Sequence, residues 1–586
     1  MIIPHKMDFQ AGYRRKHTQL RHQSFDSADL ILHNGKILTA NESFEIVQAL
    51  AIANDRIIAS GSDEACMTLR RPDTTVINLQ GRCVIPGLVD SHHHFTNRAA
   101  RAHNGVRIDY YTSVAEVIAG VAEKAREAAP GQLILSNAGN AIELFDELRA
   151  PTLAELDEAA PNNPVILTLE DGLHVNTRML NLAGFTVDTP VPAGGAIERD
   201  PDSGQLTGLV AGTATALIWE AASRGGAGAR IYSSTQLREA LLWGQRQANA
   251  VGLTGVRHPH TEPQEMRVLQ SLWEDEALTL RVAMDVGFEP HTQPPEDIAR
   301  ALSHFAVTQP FGDEWLRFHG VGELGVDQST DGMLVSWPYK VLPPAARGNP
   351  NYNGIQRVDQ STYNQVIAAV ANSGWRPVIH AGGDLAIDMV LNAFEAIDAV
   401  EPVKGKRWVV DHCHYGMARH IPRIAKMGAC VSMQYHGYMY YPIFASYHGA
   451  EEASHLFPAR QFIDAGIVVA AGSDYSKMPP NPWEGIYFFT TRDTKKWGVI
   501  GPEHRVTRAE ALRMYTANCA YMSFEEDIKG TLEPGKLADF LILSGDYLEC
   551  TDKELLALRP LNTFVGGKMV FRDSRSPYDC PESLRR

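Results

Sequence analysis

The chain contains no cysteine pair of the CxxC type. Its seven cysteines, at 66, 83, 413, 430, 519, 550 and 580, are scattered singly and odd in number. That argues against a disulfide framework and for a reducing, cytoplasmic location. Long apolar runs are missing too: none approaches the ~18 residues of a membrane-spanning helix, so no membrane partner is expected. Positive charge is in deficit, with 54 Lys and Arg against 69 Asp and Glu and a formal charge of −15. This speaks against nucleic acid or an anionic membrane as the main partner. Residues 1–27 carry Arg14, Arg15, Lys16 and Arg21, yet no apolar segment follows the arginine pair. Neither a secretory nor a twin-arginine signal is therefore expected, and 1–27 reads as an N-terminal arm.

What the chain does have is length. At 586 residues it exceeds one small core, so two structural units are expected. Residues 29–80 alternate like short strands, with Asn34-Gly35 as a hairpin signal. Residues 528–572 behave likewise. Neither piece is large enough to be stable alone, and together they would make one small β-sandwich, assigned to 28–83 and 528–575. In between, apolar strand candidates (133–138, 164–170, 253–258, 280–286, 316–324, 376–381, 407–412, 429–434 and 467–473) alternate with amphipathic helix candidates (113–129, 235–251, 362–373, 384–399 and 507–521). Ser113 to Glu116 and Thr507 to Glu510 fit the capping-box pattern. Strand–helix alternation predicts a parallel sheet, and this many units predict an α/β fold of the (β/α)₈ type over 84–527. The strand candidates exceed eight, and the Gly- and Pro-rich stretch 189–230 has no strong period. An insertion around 130–230, covering the barrel mouth, accounts for both.

The chemistry starts at residues 83–95, where an apolar run ends in Asp90 and His92-His93-His94. On a strand, His92 and His94 share a face, and two neutral imidazoles at a strand's C-terminal end can hold a divalent metal. Four later strand candidates also end in a histidine or carboxylate: Glu323 (with Asp327 beyond it), His380, His412 (with His414 two residues on) and Asp474. One such residue is weak evidence; the set recurring in chain order is strong.

The first of these stretches resembles the "PG-x-x-D-x-H-x-H" signature of the amidohydrolase superfamily. Ile379 to Asp388, Gly472-Ser473-Asp474, Arg492 and Gly530 to Asp539 are similar to the branch containing the YtcJ-like proteins and the N-substituted formamide deformylases. The resemblance covers roughly residues 28–572. It implies the barrel with its split sandwich and a centre of one or two divalent metals, zinc first, held by His92, His94, Glu323, His380, His412 and Asp474. It implies hydrolysis of a C–N bond in an amide, formamide or related N-acyl compound by metal-activated water, with Asp474 as the catalytic proton shuttle. Where many members of the branch carry Lys, this chain has Glu323, which is shorter but presents one negative carboxylate, as a carboxylated Lys does. The branch's "DGH" element reads Asp171-Gly-Leu-His174, displaced by one residue.

Charge supports hydrolysis. A pair of divalent cations outweighs Glu323, Asp474 and one hydroxide, so the centre stays positive and lowers the pKa of water towards ~7. Around it, His174, Gln434, His436 and Arg492 are the candidate substrate-binding residues. For His436 a plain loop role, and for Arg492 a structural ion pair, are the alternatives. Tyr438, Tyr440 and Tyr441 would wall an apolar pocket or simply pack, and Asp327 would orient a ligand or cap a helix. The expected partners are a small-molecule substrate and a second copy of the chain in a homodimer. Two rival functions remain: a decarboxylase or isomerase on the same barrel, and a binding protein with a vestigial site.

Overall fold

The computed structural model describes residues 27–586 except 138, 224–231, 306–310, 329 and 476–477. The expected arm, 1–27, lies outside the described residues but for its last position. Eight parallel strands carry the molecule. They are β1 (Leu88–Asp90), β2 (Leu253–Thr261), β3 (Arg281–Val286), β4 (Leu316–Val321), β5 (Val378–Ala381), β6 (Val409–His412), β7 (Cys430–Gln434) and β8 (Val469–Gly472). They run in two four-stranded sheets, ordered β4-β3-β2-β1 and β5-β6-β7-β8. A parallel bridge between Val321 and Pro377 joins β4 to the segment leading into β5, and Ser91 N donates to Ala471 O (3.0 Å), joining the end of β1 to β8. The strands are buried on both faces, which is why they read as apolar runs rather than as alternating patterns.

Helices follow the strands much as the periodicity predicts: Val114–Glu127, Ser234–Ala250, Gln360–Asn372 and Asp384–Asp398. Thr507 forms a complete capping box with Glu510. Ser113 accepts from Glu116 N, but the Glu116 carboxylate turns to Thr112 N (2.8 Å), so only half of that box forms. The helix expected over 507–521 is two, Arg508–Met514 and Ala517–Met522. The break has a tertiary cause: the Tyr515 carbonyl accepts from Val89 N of β1 (2.7 Å) instead of continuing a helical ladder.

Strands from both chain ends do pair. Phe540–Leu543 runs antiparallel to Cys83–Pro86, in a six-stranded sheet that also holds Pro560–Val565, Lys568–Arg572, Lys36–Leu38 and Ile46–Val47. A four-stranded sheet contains Leu30–His33, and one apolar cluster, including Leu32, Ile52, Phe540 and Phe564, draws on both sheets. Asn34-Gly35 does not close a hairpin. The strands on either side of it belong to different sheets, so the turn is a crossover. A Cβ at Gly35 would lie 2.4 Å from Leu79 Cδ1, so a larger residue there would displace the Leu79 side chain.

The candidate strands at 133–138 and 164–170 are not among the eight. Ile134–Leu135 and Val165–Leu169 join Gly172–Val175, Gly195–Arg199 and Leu206–Gly212 in a separate five-stranded sheet. This sheet has its own apolar clusters. The segment after Ile134–Leu135 touches the rest of the chain where Tyr440 Oη donates to Gly139 O (3.4 Å) and Lys496 Nζ donates to Leu144 O (2.8 Å).

Candidate metal centre

The histidines and carboxylates converge just beyond the C-terminal ends of the parallel strands. Strand β1 stops at Asp90, so strand alternation does not place His92 and His94 together. His94 is instead the N-cap of helix Phe95–Asn104, and the turn between brings the two rings to 5.2 Å. Asp90 organises this turn. Its carboxylate accepts from His92 N (3.0 Å), Ser473 N (3.0 Å) and Ser473 Oγ (2.6 Å), and Asp474 N donates to His92 O (2.8 Å). Burial pushes the Asp90 carboxyl up to about 6 against these bonds. Gly472 leaves room for the turn, since a Cβ there would sit 2.6 Å from both Asp90 Oδ1 and His92 N.

Glu323 stands at the middle. Its Oε1 lies 2.9 Å from His92 Nε2, 3.1 Å from His412 Nε2 and 3.6 Å from His380 Nδ1. Asp474 Oδ1 lies 3.3 Å from His94 Nε2 and 3.8 Å from His92 Nε2, and Asp474 Oδ2 lies 3.3 Å from His436 Nε2. All six residues expected as ligands are thus brought together. Two triads, His92–Glu323–His412 and His92–His94–Asp474, each keep their donor atoms within 4.8 Å of one another. His414 is buried nearby but turns away from Glu323, with Nδ1 3.1 Å from Met333 Sδ and Nε2 3.1 Å from His436 Nδ1.

The nitrogens on the far side of the rings have their own partners. His92 Nδ1 lies 3.3 Å from Asp411 Oδ2, and His412 Nδ1 lies 2.8 Å from Gln434 Oε1. Each oxygen can accept a hydrogen bond from Nδ1–H, which leaves the Nε2 lone pair directed at the common centre. Burial, and then the charge of His380, holds the His412 imidazole down to about 4, in its neutral form. Behind His92, Arg257 is fully buried and pairs with Asp285 (2.7 Å) and Asp411 and donates to Ser91 O (2.5 Å). Burial alone would raise Asp411; Arg257 and then His92 overcome it and hold that carboxyl down to about 2.

The four candidate substrate-binding residues fare differently. Gln434 is fully buried and spends its amide on Ser432 (3.1 Å) and its carbonyl on His412, so it orients a histidine instead of facing substrate. His436 joins the cluster through Asp474 rather than standing in a loop apart. His174 pairs with Asp171 (3.0 Å) inside its own hairpin, and no described contact links it to the cluster. Among the described residues Arg492 has no ion-pair partner. It is fully buried and donates to the carbonyls of Ile500 (3.0 Å), Phe457 (3.2 Å) and Leu456 (2.7 Å). The three tyrosines do not line the cavity of about 280 Å³ over Glu323 and His380; its walls are polar, with Glu289, Asp327, Asp331 and Arg357 among them. Asp327 caps the loops beside His380, accepting from Leu334 N (3.0 Å), Gly382 N (3.1 Å) and Gly383 N (2.8 Å).

Arg257, Asp285 and Asp411 escaped the sequence reading. The available signal was charge inside apolar strands: Arg257 in Val256-Arg-His258 and Asp411 just before His412. Gln434 yields a prediction. Gln434→Leu keeps the volume but removes the acceptor for His412 Nδ1, and metal affinity measured by competition with a chelator is expected to fall about 10- to 100-fold. An unchanged affinity would show that His412 is oriented by other means.

Comparison with known proteins agrees with this architecture. The sequence model of the amidohydrolase family matches residues 75–571. The N-substituted formamide deformylase of Arthrobacter pascens is 27% identical over 555 residues, covering 94% of this chain and 99% of that protein. Protein LONG AFTER FAR-RED 3 of Arabidopsis thaliana is 28% identical over 564 residues, covering 93% and 92%. Among solved structures, an uncharacterized metal-dependent hydrolase from Pyrococcus horikoshii shares the fold, with a TM-score of 0.69 at 21% identity over 89% of this chain and 99% of that one. With a family match that spans most of its length and relatives aligned nearly end to end, this chain belongs to the amidohydrolase family.

Proposed function

We propose that the protein is a metal-dependent amidohydrolase that cleaves a C–N bond in an amide, formamide or related N-acyl compound. The observation that carries the reading is the convergence of His92, His94, Glu323, His380, His412 and Asp474 on one point, with Nε2 of His92 and His412 directed inward. These residues fit a divalent cation. Imidazole and carboxylate are the ligands that zinc takes, and among the described residues the buried Nε2 of His92 makes no hydrogen bond of good geometry, although Glu323 Oε1 lies 2.9 Å away. Zinc, in one or two copies, is the proposed occupant. When bound, it supplies Lewis acidity that polarises a carbonyl and acidifies water.

The chain's own side chains do the rest. Asp474 takes the proton from the attacking water and delivers it to the leaving nitrogen, and His436, 3.3 Å from Asp474 Oδ2, steadies that carboxylate. Glu323 supplies the central negative charge that a carboxylated Lys would supply at this position. Asp411 and Gln434 fix the tautomers of His92 and His412. The eight parallel strands are read as one closed (β/α)₈ barrel over 84–527. The Val321–Pro377 bridge and the Ser91–Ala471 bond support that closure. The chain-end sheets are read as a composite β-sandwich over 28–83 and 528–575. Seven cysteines, none in a disulfide, support a reducing, cytoplasmic setting.

Hydrolysis in ¹⁸O-water tests the reaction class: solvent oxygen appears in the acyl product only if the C–N bond is hydrolysed, and its absence would favour the decarboxylase or isomerase reading. Metal removal tests the centre. Dialysis against a chelator is expected to abolish turnover, and zinc alone is expected to restore it. A requirement for bicarbonate during reconstitution would show that Glu323 does not take the place of a carboxylated lysine.

A further inference from the structure

Helix Phe95–Asn104 starts at His94, and Arg98 N donates to His94 O (3.2 Å). His94, Arg98 and Arg101 recur at i, i+4 and i+7, which puts all three on one face of the helix. The face that begins with a candidate metal ligand thus continues into two arginines. Both are half-buried, and among the described residues neither has a carboxylate partner. Arg98 makes one hydrogen bond, from Nη1 to Asn137 O (3.4 Å). Arg101 stacks over Trp219 at 5.1 Å, and its buried Nε is unpartnered. Burial and then the charge of Arg101 push Arg98 down to about 9, while Asp474 and Tyr475 lie close enough to act on it.

The other buried arginines are matched. Arg257 has Asp285 and Asp411, Arg281 has Asp539 and Arg407 has Glu526, while Arg376 and Arg492 cap main-chain carbonyls. In the cavity above Glu323, Arg357 already faces Glu289 at 3.6 Å. Two adjacent, half-desolvated guanidinium groups repel each other, and an anion between them relieves that repulsion and fills their donors. Guanidinium offers a planar fork matched to carboxylate. One helical turn is about 5.4 Å, so the pair stands one to two turns from His94, within reach of a group a few bonds from the scissile carbonyl.

We propose that Arg98 and Arg101 form the receptor for a carboxylate on the substrate, which makes N-acyl amino acids and related N-acyl acids the preferred substrate class. This rests on the hydrolase reading above. The experiment titrates N-acetylphenylalanine and N-acetylphenylalanine amide, separately, into the zinc-loaded full chain by calorimetry, with turnover of both followed in ¹⁸O-water. The acid is expected to bind at least about tenfold more tightly than the amide. In Arg98→Gln/Arg101→Gln that preference is expected to vanish, with the amide's affinity unchanged within about twofold. Each single variant, with its melting temperature, separates a lost contact from a lost fold. Equal binding of acid and amide by the wild type, or no binding of either, overturns the receptor. So does a preference that survives in the double variant, because the carboxylate then binds elsewhere. Preferential binding of the acid without solvent oxygen in any product overturns the hydrolase reading alone and leaves the receptor standing.

Discussion

Asp474→Asn is expected to lower kcat/KM by about 10²–10⁴-fold, the range that a positioned general acid–base group contributes. Asn keeps the shape and one ligand oxygen but can neither take nor return a proton. Because Asp474 Oδ1 also lies 3.3 Å from His94 Nε2, the substitution could act by losing metal instead. Metal content measured by mass spectrometry on the same preparation separates the two. A full complement of metal with a collapsed rate assigns proton transfer to Asp474; a full complement with a rate within tenfold of wild type removes it from that role. His436→Gln is the companion variant, and a smaller loss is expected because His436 contacts Asp474 rather than the reacting atoms.

The largest effect on stability is expected at Arg257, which is buried behind His92. Arg257→Met preserves bulk but leaves Asp285 and Asp411 buried, each fully shielded from water, without their shared cation. Breaking such a buried network by removing one partner costs about 3–5 kcal/mol, which chemical denaturation would measure. The loss has a predictable pH dependence. In the wild type Asp411 is held down to about 2, below its unfolded value, so it contributes stability above the unfolded pKa and loses it as pH falls towards 2. Without Arg257, only His92 and His412 oppose burial, so Asp411 rises and its stabilising contribution at neutral pH shrinks. The gap between wild type and variant is therefore expected to be wider at pH 7 than at pH 4. A gap that is flat with pH would mean that Asp411 is compensated from elsewhere. His92 Nδ1 faces Asp411, so weaker metal binding should accompany the lost stability.

The two variants lie at different depths of legibility. Asp474 was visible in the linear chain because an apolar run broken by a carboxylate, then a loop, is a local pattern. The same holds for His92, His380 and His412, and for the helices at Val114–Glu127 and Asp384–Asp398, whose caps and periodicity are local. Arg257 was not visible. It lies 165 positions from His92 and 154 from Asp411, and a charged side chain inside an apolar strand does not say which distant charge will neutralise it. Gln434 and Arg492 were misread for a related reason: a polar residue near a site can face inward, outward or along the backbone, and nothing local decides between them. Asn34-Gly35 has the turn chemistry of a hairpin, but the flanking strands pair with more distant partners, and long-range pairing overrode the local signal.

The family, and the choice of six candidate ligands, came from the resemblance of short motifs; composition and pattern alone supplied the alternation of strands and helices, the expectation that the chain ends pair, and the histidines and carboxylates at strand ends. These follow from short-range physics: periodicity, capping, and the cost of burying polar groups at any but a few positions. The packed molecule alone decided that Asp90 holds the turn that carries His92 and His94, that Arg257 and Gln434 stand behind the histidines, and that Arg98 and Arg101 have no counter-charge among the described residues. Those outcomes depend on which strands lie in register and which charges meet across more than a hundred residues, and a low-dielectric interior makes each such meeting, or its absence, energetically large.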